Sequence, residues 1–208
     1  WLLRCWFLER SGSVINKLRR RDVKNMYEHK VINKQQSMLA TILGTTLYKH
    51  VEKNADKGTH SNRVSQLCKF LGMAMELPDT DIYKLEISGL FHDIGKIAIQ
   101  DYIINKPGPL STQEWNEIMR HPEVGSWILR ASLELSDIAK YVLYHHERYD
   151  GSGYPKGLKA DEIPLLSRII SVADSYDAMT NQRSYKETLN DETAVQELVS
   201  NKGKQFDP

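Results

Sequence analysis

Cysteine is nearly absent from this sequence: Cys5 and Cys68 are the only two among 208 residues. No CxxC pair exists, which excludes a disulfide framework and makes a reducing, cytoplasmic setting the simplest expectation. Charge of one sign is missing too. Lys and Arg total 28 against 27 Asp and Glu, interspersed, for a formal net charge of +1. Such a balance offers no footprint for a nucleic-acid duplex or an anionic membrane surface. The apolar opening "WLLRCWFL" falls far short of the roughly 20 residues of a spanning helix, and it lacks the small-residue cleavage site of a signal peptide. It is expected to be the cut end of an upstream domain or of a helix leading into this one. Apolar/polar alternation, the mark of half-buried strands, is lacking as well.

What is present is one helix pattern after another. "QSMLATILGTTLYKHVE" and "NRVSQLCKFLGMAMEL" carry apolar residues at spacings of three and four, the second stopping before Pro78. "TDIYKLEISGLFHDIGK" continues the pattern and is expected to break at Gly95. In "STQEWNEIMRHP", Ser111 stands three residues before Glu114, the arrangement of a capping box. Further helical stretches are expected near 125–131, 137–146, 167–179 and 191–201. The chain therefore reads as all-α. Residues 1–35, polar and basic with loosely spaced apolar positions, read as a helical connector or the remnant of an upstream sensor or receiver module; residues 36–208 read as the main domain. Trp115, Trp127, Phe91 and Phe70 are expected to be core aromatics on helical faces.

Five of the seven histidines stand in contexts that suit metal ligation: His60 in "THSNRV", His92 in "FHDIGK", His121 in "MRHPEVG", and the adjacent His145 and His146. His29 and His50 lie away from any motif. Asp93 follows His92, and Asp174 lies in "SVADSYDAM". Each falls at or near the end of an amphipathic segment, so a bundle could aim them all at one pocket. Imidazole and carboxylate without thiolate suit iron or manganese, with nickel and zinc as alternatives. The set exceeds the needs of one catalytic ion. It fits two ions sharing a carboxylate, as in two-metal phosphoesterases, and Asp93 is the natural bridge.

The motifs "HDIGKI", "KPGPLSTQEWNEIMRHPEVG", "HHERYDGSGYPKGL" and "DEIPLLSRIISVADSYDAMTNQRSYK", in this order, resemble those of the HD-GYP family, a branch of the HD phosphohydrolases. The likeness runs from about residue 36 to the final "GKQFDP". It implies a multi-helix HD-type bundle around a bi- or trinuclear metal centre that hydrolyses the bacterial second messenger cyclic di-GMP to pGpG, with GMP as the product of a second cut. Carried over by position, the ligands are His60, His92, Asp93, His121, His145, His146 and Asp174. Asp56 stands where family members with a third ion carry glutamate, which leaves the count at two ions or three. Lys96 resembles the family lysine at the scissile phosphate, where its ammonium would offset phosphoryl charge. Arg183 and Lys186 match positions that hold the dinucleotide, and Ser184 replaces the usual proline between them. Gly153, Tyr154 and Pro155 form the GYP loop, which the family also uses to contact partner signalling proteins. The implied attack on phosphorus is by a hydroxide bridging the ions. The resemblance is compatible with an oligomer. Two alternatives stay open: a weakly active or inactive cyclic di-GMP receptor, and a hydrolase of another cyclic dinucleotide such as cyclic GMP-AMP.

Overall fold

The computed structural model of the protein describes residues 55–133, 135–181 and 188–208, with side chains from His60 onward. The expected connector over 1–35, the first expected helix, His29, His50, Arg183, Ser184, Lys186 and the side chain of Asp56 lie outside the described residues.

In chain order the helices are α1 (Ala55–Ala74), α2 (Asp79–Phe91), α3 (Asp101–Ile104), α4 (Thr112–Ile118), α5 (His121–Arg130), α6 (Ala139–Leu143), α7 (Leu165–Thr180) and α8 (Asp191–Ser200). Tighter 3₁₀ turns occur at Ile94–Ala98, Ser136–Ile138 and Ala160–Glu162. Among the described residues there is no strand, only an isolated bridge between Lys202 and Phe206. The all-α expectation holds. No helix among the described residues is long and apolar enough to cross a membrane.

The core that positions the site joins five helices. Val64 and Cys68 of α1, Leu85, Leu90 and Phe91 of α2, Leu129 of α5, Val142 of α6, and Leu166, Ile169 and Ile170 of α7 pack as one buried cluster. A second, smaller cluster seats α8 and the chain end on α7 through Tyr176, Ala194, Leu198 and Phe206. Ser167, wholly buried on α7, donates its hydroxyl to the Tyr141 carbonyl at 3.0 Å, a polar pin between α7 and α6.

The capping box at α4 is present: the Glu114 amide donates to Ser111 Oγ at 3.2 Å, and the Ser111 amide to Glu114 Oε2 at 2.6 Å. Lys106 adds an ammonium 2.7 Å from the same carboxylate. These polar contacts matter because α4 has no buried residue. Trp115 on it is 46% exposed, and Trp127 on α5 is 77% exposed. Neither is a core aromatic. On α5 the buried face is His121, Pro122, Gly125, Ser126 and Leu129, and Trp127 falls on the opposite side of the cylinder. Phe91 is buried as expected, whereas Phe70 is only half-buried.

The expected break at Gly95 comes four residues sooner. Helix α2 ends at Phe91, and Gly95 sits inside the 3₁₀ turn that follows. Its role is contact: a Cβ there would lie 1.9 Å from the His121 carbonyl oxygen and 2.6 Å from the Gly125 amide nitrogen. Only glycine lets this turn press against the start of α5.

Candidate metal centre

Three histidines stand at helix ends for a reason visible in their hydrogen bonds. The last carbonyls of a helix have no amide to accept from. The Nδ1–H of His92, just past α2, donates to the Gly89 carbonyl at 2.8 Å. His121 does the same with Ile118, the last residue of α4, at 2.6 Å. His145, past α6, does so with Val142 at 2.6 Å. A carbonyl can only accept, so each Nδ1 holds a proton, and in the neutral ring Nε2 is left as the lone-pair nitrogen. Residue spacing thus turns three helix termini into three oriented ligands.

Those lone pairs meet. His121 Nε2 and His145 Nε2 lie 3.4 Å apart. His121 Nε2 is also 3.4 Å from Asp93 Oδ1, and His92 Nε2 is 3.5 Å from Asp93 Oδ2. His60 Nε2 lies 3.2 Å from Asp174 Oδ1 and 3.9 Å from Asp93 Oδ2. Two groups result. Asp93, His121, His145 and His146 offer ligand atoms within 4.8 Å of one another, and so do His60, His92 and Asp93. Asp93 belongs to both, with one oxygen toward each. Asp174 contacts His60 and His92 from α7. The structure therefore brings together all seven residues named from the sequence. One detail differs: His60 and Asp174 sit inside their helices, at the sixth position of α1 and the tenth of α7, not near the ends.

The electrostatics of three of the histidines suit metal ligation. Burial drives His121 down to about 4, outweighing the attraction of Asp93. Burial, with the neighbouring His121, drives His146 down to about 3. Burial and the adjacent His146 hold His145 well below the usual histidine range. All three are neutral at pH 7, as ligands must be. Burial alone would raise the Asp93 carboxyl, yet Lys96 and the surrounding imidazoles hold it well below the ordinary range. Asp174 is also lowered despite its burial, chiefly by the hydrogen bond from His60. Burial works against the charged form of His60 too, but Asp174 and Asp177 overcome it and lift the group to about 9.

A divalent cation fits this donor set. His92 Nε2 is buried without a hydrogen-bond partner, a state that costs about 1–3 kcal/mol for a polar atom. The facing Nε2 atoms of His121 and His145 are two acceptors without a proton between them. Cations held by these nitrogens and by Asp93 would relieve both defects.

Around the cluster, Lys96 Nζ lies 2.6 Å from Asp93 Oδ2 and is partly exposed. Tyr154 of the GYP loop stacks on His146, with ring centroids 4.9 Å apart and planes at 29°. Its amide donates to the His146 carbonyl at 3.3 Å. Burial and the nearby Asp93 push its hydroxyl above the ordinary tyrosine range, so it is neutral near pH 7. The loop is held from beneath by Glu147, almost wholly buried, whose carboxylate accepts the Lys156 amide at 2.7 Å and the Leu158 amide at 3.0 Å. Gly153 is required for the same fold-back, since a Cβ there would lie 2.3 Å from the Arg148 amide nitrogen. The chain end braces the loop's outer side: the Tyr149 and Asp150 amides donate to the Gln205 and Lys204 carbonyls at 3.2 and 2.8 Å. Pro155 follows Tyr154 through a cis peptide bond.

One residue at the site was not picked out from the sequence. Asp177, 1% exposed, accepts from His60 Nδ1 at 2.6 Å and from the Arg63 guanidinium on both oxygens. The available signal was its spacing, three residues after Asp174 on one helix and therefore on the same face.

Comparisons with known proteins bear on the family and the fold. A model of the HD domain family matches residues 14–208. A cyclic di-GMP phosphodiesterase of Pseudomonas aeruginosa is 42% identical over 159 residues, covering 75% of this chain and 38% of that protein. A 3'3'-cGAMP-specific phosphodiesterase of Vibrio cholerae is 39% identical over 158 residues, covering 75% and 30%. The chain thus spans less than half the length of these relatives. Among solved structures, an HD-GYP-type protein of Bdellovibrio bacteriovorus matches with a TM-score of 0.58 at 22% identity, covering 71% of this chain and 48% of that one. At that identity the likeness speaks to the fold.

Proposed function

Because the chain belongs to the HD domain family, and its HD-GYP resemblance holds, we propose that it is a metal-dependent phosphodiesterase that opens cyclic di-GMP to linear pGpG, a second cut giving GMP. The observation that carries this reading is the pair of ligand groups sharing Asp93, one carboxylate oxygen toward each. His60, His92, Asp93 and Asp174 would hold one cation; His121, His145, His146 and Asp93 would hold the other. Iron or manganese suits this thiolate-free donor set best, with nickel or zinc as substitutes. Such ions supply Lewis-acid activation of water and neutralise charge on a phosphoryl group.

The protein's own residues then have separate tasks. The helix-end carbonyls behind His92, His121 and His145 fix ligand orientation. Lys96, already drawn 2.6 Å from Asp93, is a fixed ammonium beside the reacting phosphate, where it would stabilise charge that grows in the transition state. Tyr154, stacked on His146, walls one side of the centre and keeps bulk water from that ligand. Arg183 and Lys186 are assigned to the dinucleotide by their motif. Asp56 would add a ligand for a third ion. We place the protein in bacterial signalling in the cytoplasm, downstream of a sensory or receiver module, with the GYP loop as a second contact for signalling partners.

Cyclic GMP-AMP is the competing substrate, favoured by the 39% identity to a relative named for it. Purified protein loaded anaerobically with Fe(II) or Mn(II) and given each dinucleotide separately should release linear product from cyclic di-GMP over many turnovers. Faster release from cyclic GMP-AMP would reassign the substrate. Stoichiometric binding without product would replace the enzyme by a receptor.

A further inference from the structure

The histidines of the centre are not held alike. His92, His121 and His145 each lean on a neutral backbone carbonyl. His60 instead leans on a carboxylate: its Nδ1 lies 2.6 Å from Asp177 Oδ2. That carboxylate is 1% exposed and is clamped by three further donors. Arg63 donates from Nε to Oδ1 at 2.5 Å and from Nη2 to Oδ2 at 2.9 Å; Asn181 donates from Nδ2 to Oδ1 at 3.0 Å. Arg63 stands one helical turn beyond His60 on α1, and Asn181 caps the end of α7 one turn beyond Asp177. A buried carboxylate with this many donors is ionised and cannot swivel.

We propose that Asp177, clamped by Arg63 and Asn181, is a positioning residue that locks His60 with Nε2 toward the centre and makes the two cation positions unequal, the one built on His60, His92 and Asp93 being the tighter. This rests on the metal-centre reading above. A charged acceptor behind an imidazole raises its basicity as a ligand and fixes its ring, where a carbonyl mainly fixes the ring. A further carboxylate, Asp174, faces that side, while Lys96 pairs with the shared Asp93. Asp174 lies 3.2 Å from His60 Nε2, whereas the other group meets Asp93 with three imidazoles.

The test is Mn(II) titration of chelator-stripped protein, read by electron paramagnetic resonance and total metal analysis. The unmodified protein should show two classes of site, the tighter by at least about 10-fold. Asp177→Asn should weaken the tight class by about 10–100-fold and leave the other within about two-fold. Two unchanged classes in that variant, or two equally weakened ones, would overturn the proposal. A protein that takes up no Mn(II) before any substitution fails earlier and takes the metal-centre reading with it. A readout independent of the variant's folding comes from the unmodified protein loaded with Zn(II) and observed by imidazole-nitrogen NMR. His60 should coordinate through Nε2 with a hydrogen-bonded proton on Nδ1; coordination through Nδ1, or a bare Nδ1, refutes the positioning role.

Discussion

Gly95→Ala tests the geometry at its tightest point. The added carbon would fall 1.9 Å from the His121 carbonyl oxygen and 2.6 Å from the Gly125 amide nitrogen. Both are backbone atoms, so no side chain can swing away. To reach 3.0 Å, below which such contacts essentially do not occur, turn and helix must part by about 1 Å. That turn follows Asp93 directly and carries Lys96; the helix begins with His121. The Asp93–His121 pair, now 3.4 Å apart, is stretched by the same motion. Ligand distances tolerate about 0.2 Å, so the cation position on His121 should be lost even where the fold survives. Overpacking of this kind costs about 1–3 kcal/mol, or roughly 2–12 °C in Tm for a chain of this size. A misplacement of about 1 Å near the chemistry slows turnover by about 100-fold. Thermal melting, metal content per chain and dinucleotide turnover read the three effects separately. A Gly95→Ala protein with unchanged Tm and full metal content would refute the reasoning.

Three further outcomes are expected. Asp93→Ala should abolish turnover and reduce metal content, while His29→Ala leaves turnover within about two-fold; activity retained in the Asp93 variant would reject the shared-carboxylate reading. Glu147→Gln puts an amide NH₂ where one of two backbone amides now finds an acceptor, and should cost about 1–3 kcal/mol in urea unfolding. Stripping the metal with a chelator should lower Tm, because ions that bind only the folded state at 100 times their Kd add about 2.7 kcal/mol; an unchanged Tm would speak against ions at the buried cluster.

Much of the site is legible in the sequence because its residues are chemically conspicuous. Histidines at helix ends and an adjacent aspartate stand out against a chain with two cysteines and balanced charge. Asp177 could not be sorted from Asp174 on the same grounds. The two share residue type, helix and face, and a clamp that includes Arg63, 114 residues away in sequence, marks Asp177 as the one turned from the centre. The tryptophans failed for a related reason. Periodicity identifies an apolar stripe but not which turn of it meets a neighbour, and among the described residues none of α4 is buried. Gly95 reads locally as a helix breaker, but its cause is the approach of α5 from 26 residues further on. In each case the missing information was a contact distant in sequence, which no local pattern contains.

The same distinction explains why the centre is tolerable in a folded chain at all. Neutral imidazoles packed with their lone pairs facing one another, and a buried His92 nitrogen without a partner, break the rule that interior polar atoms are satisfied. The fold does not relax them. The carbonyls of Gly89, Ile118 and Val142 hold the rings in place through Nδ1, and Gly95 holds the turn after Asp93 against α5. Sequence consistency elsewhere, in the capped α4, the Glu147-anchored loop and the five-helix core, supplies the stability that this local conflict removes. A site meant only for packing would have placed aliphatic side chains at these helix ends. Proton-free nitrogens and a shared carboxylate held in register form the arrangement that bound cations would complete.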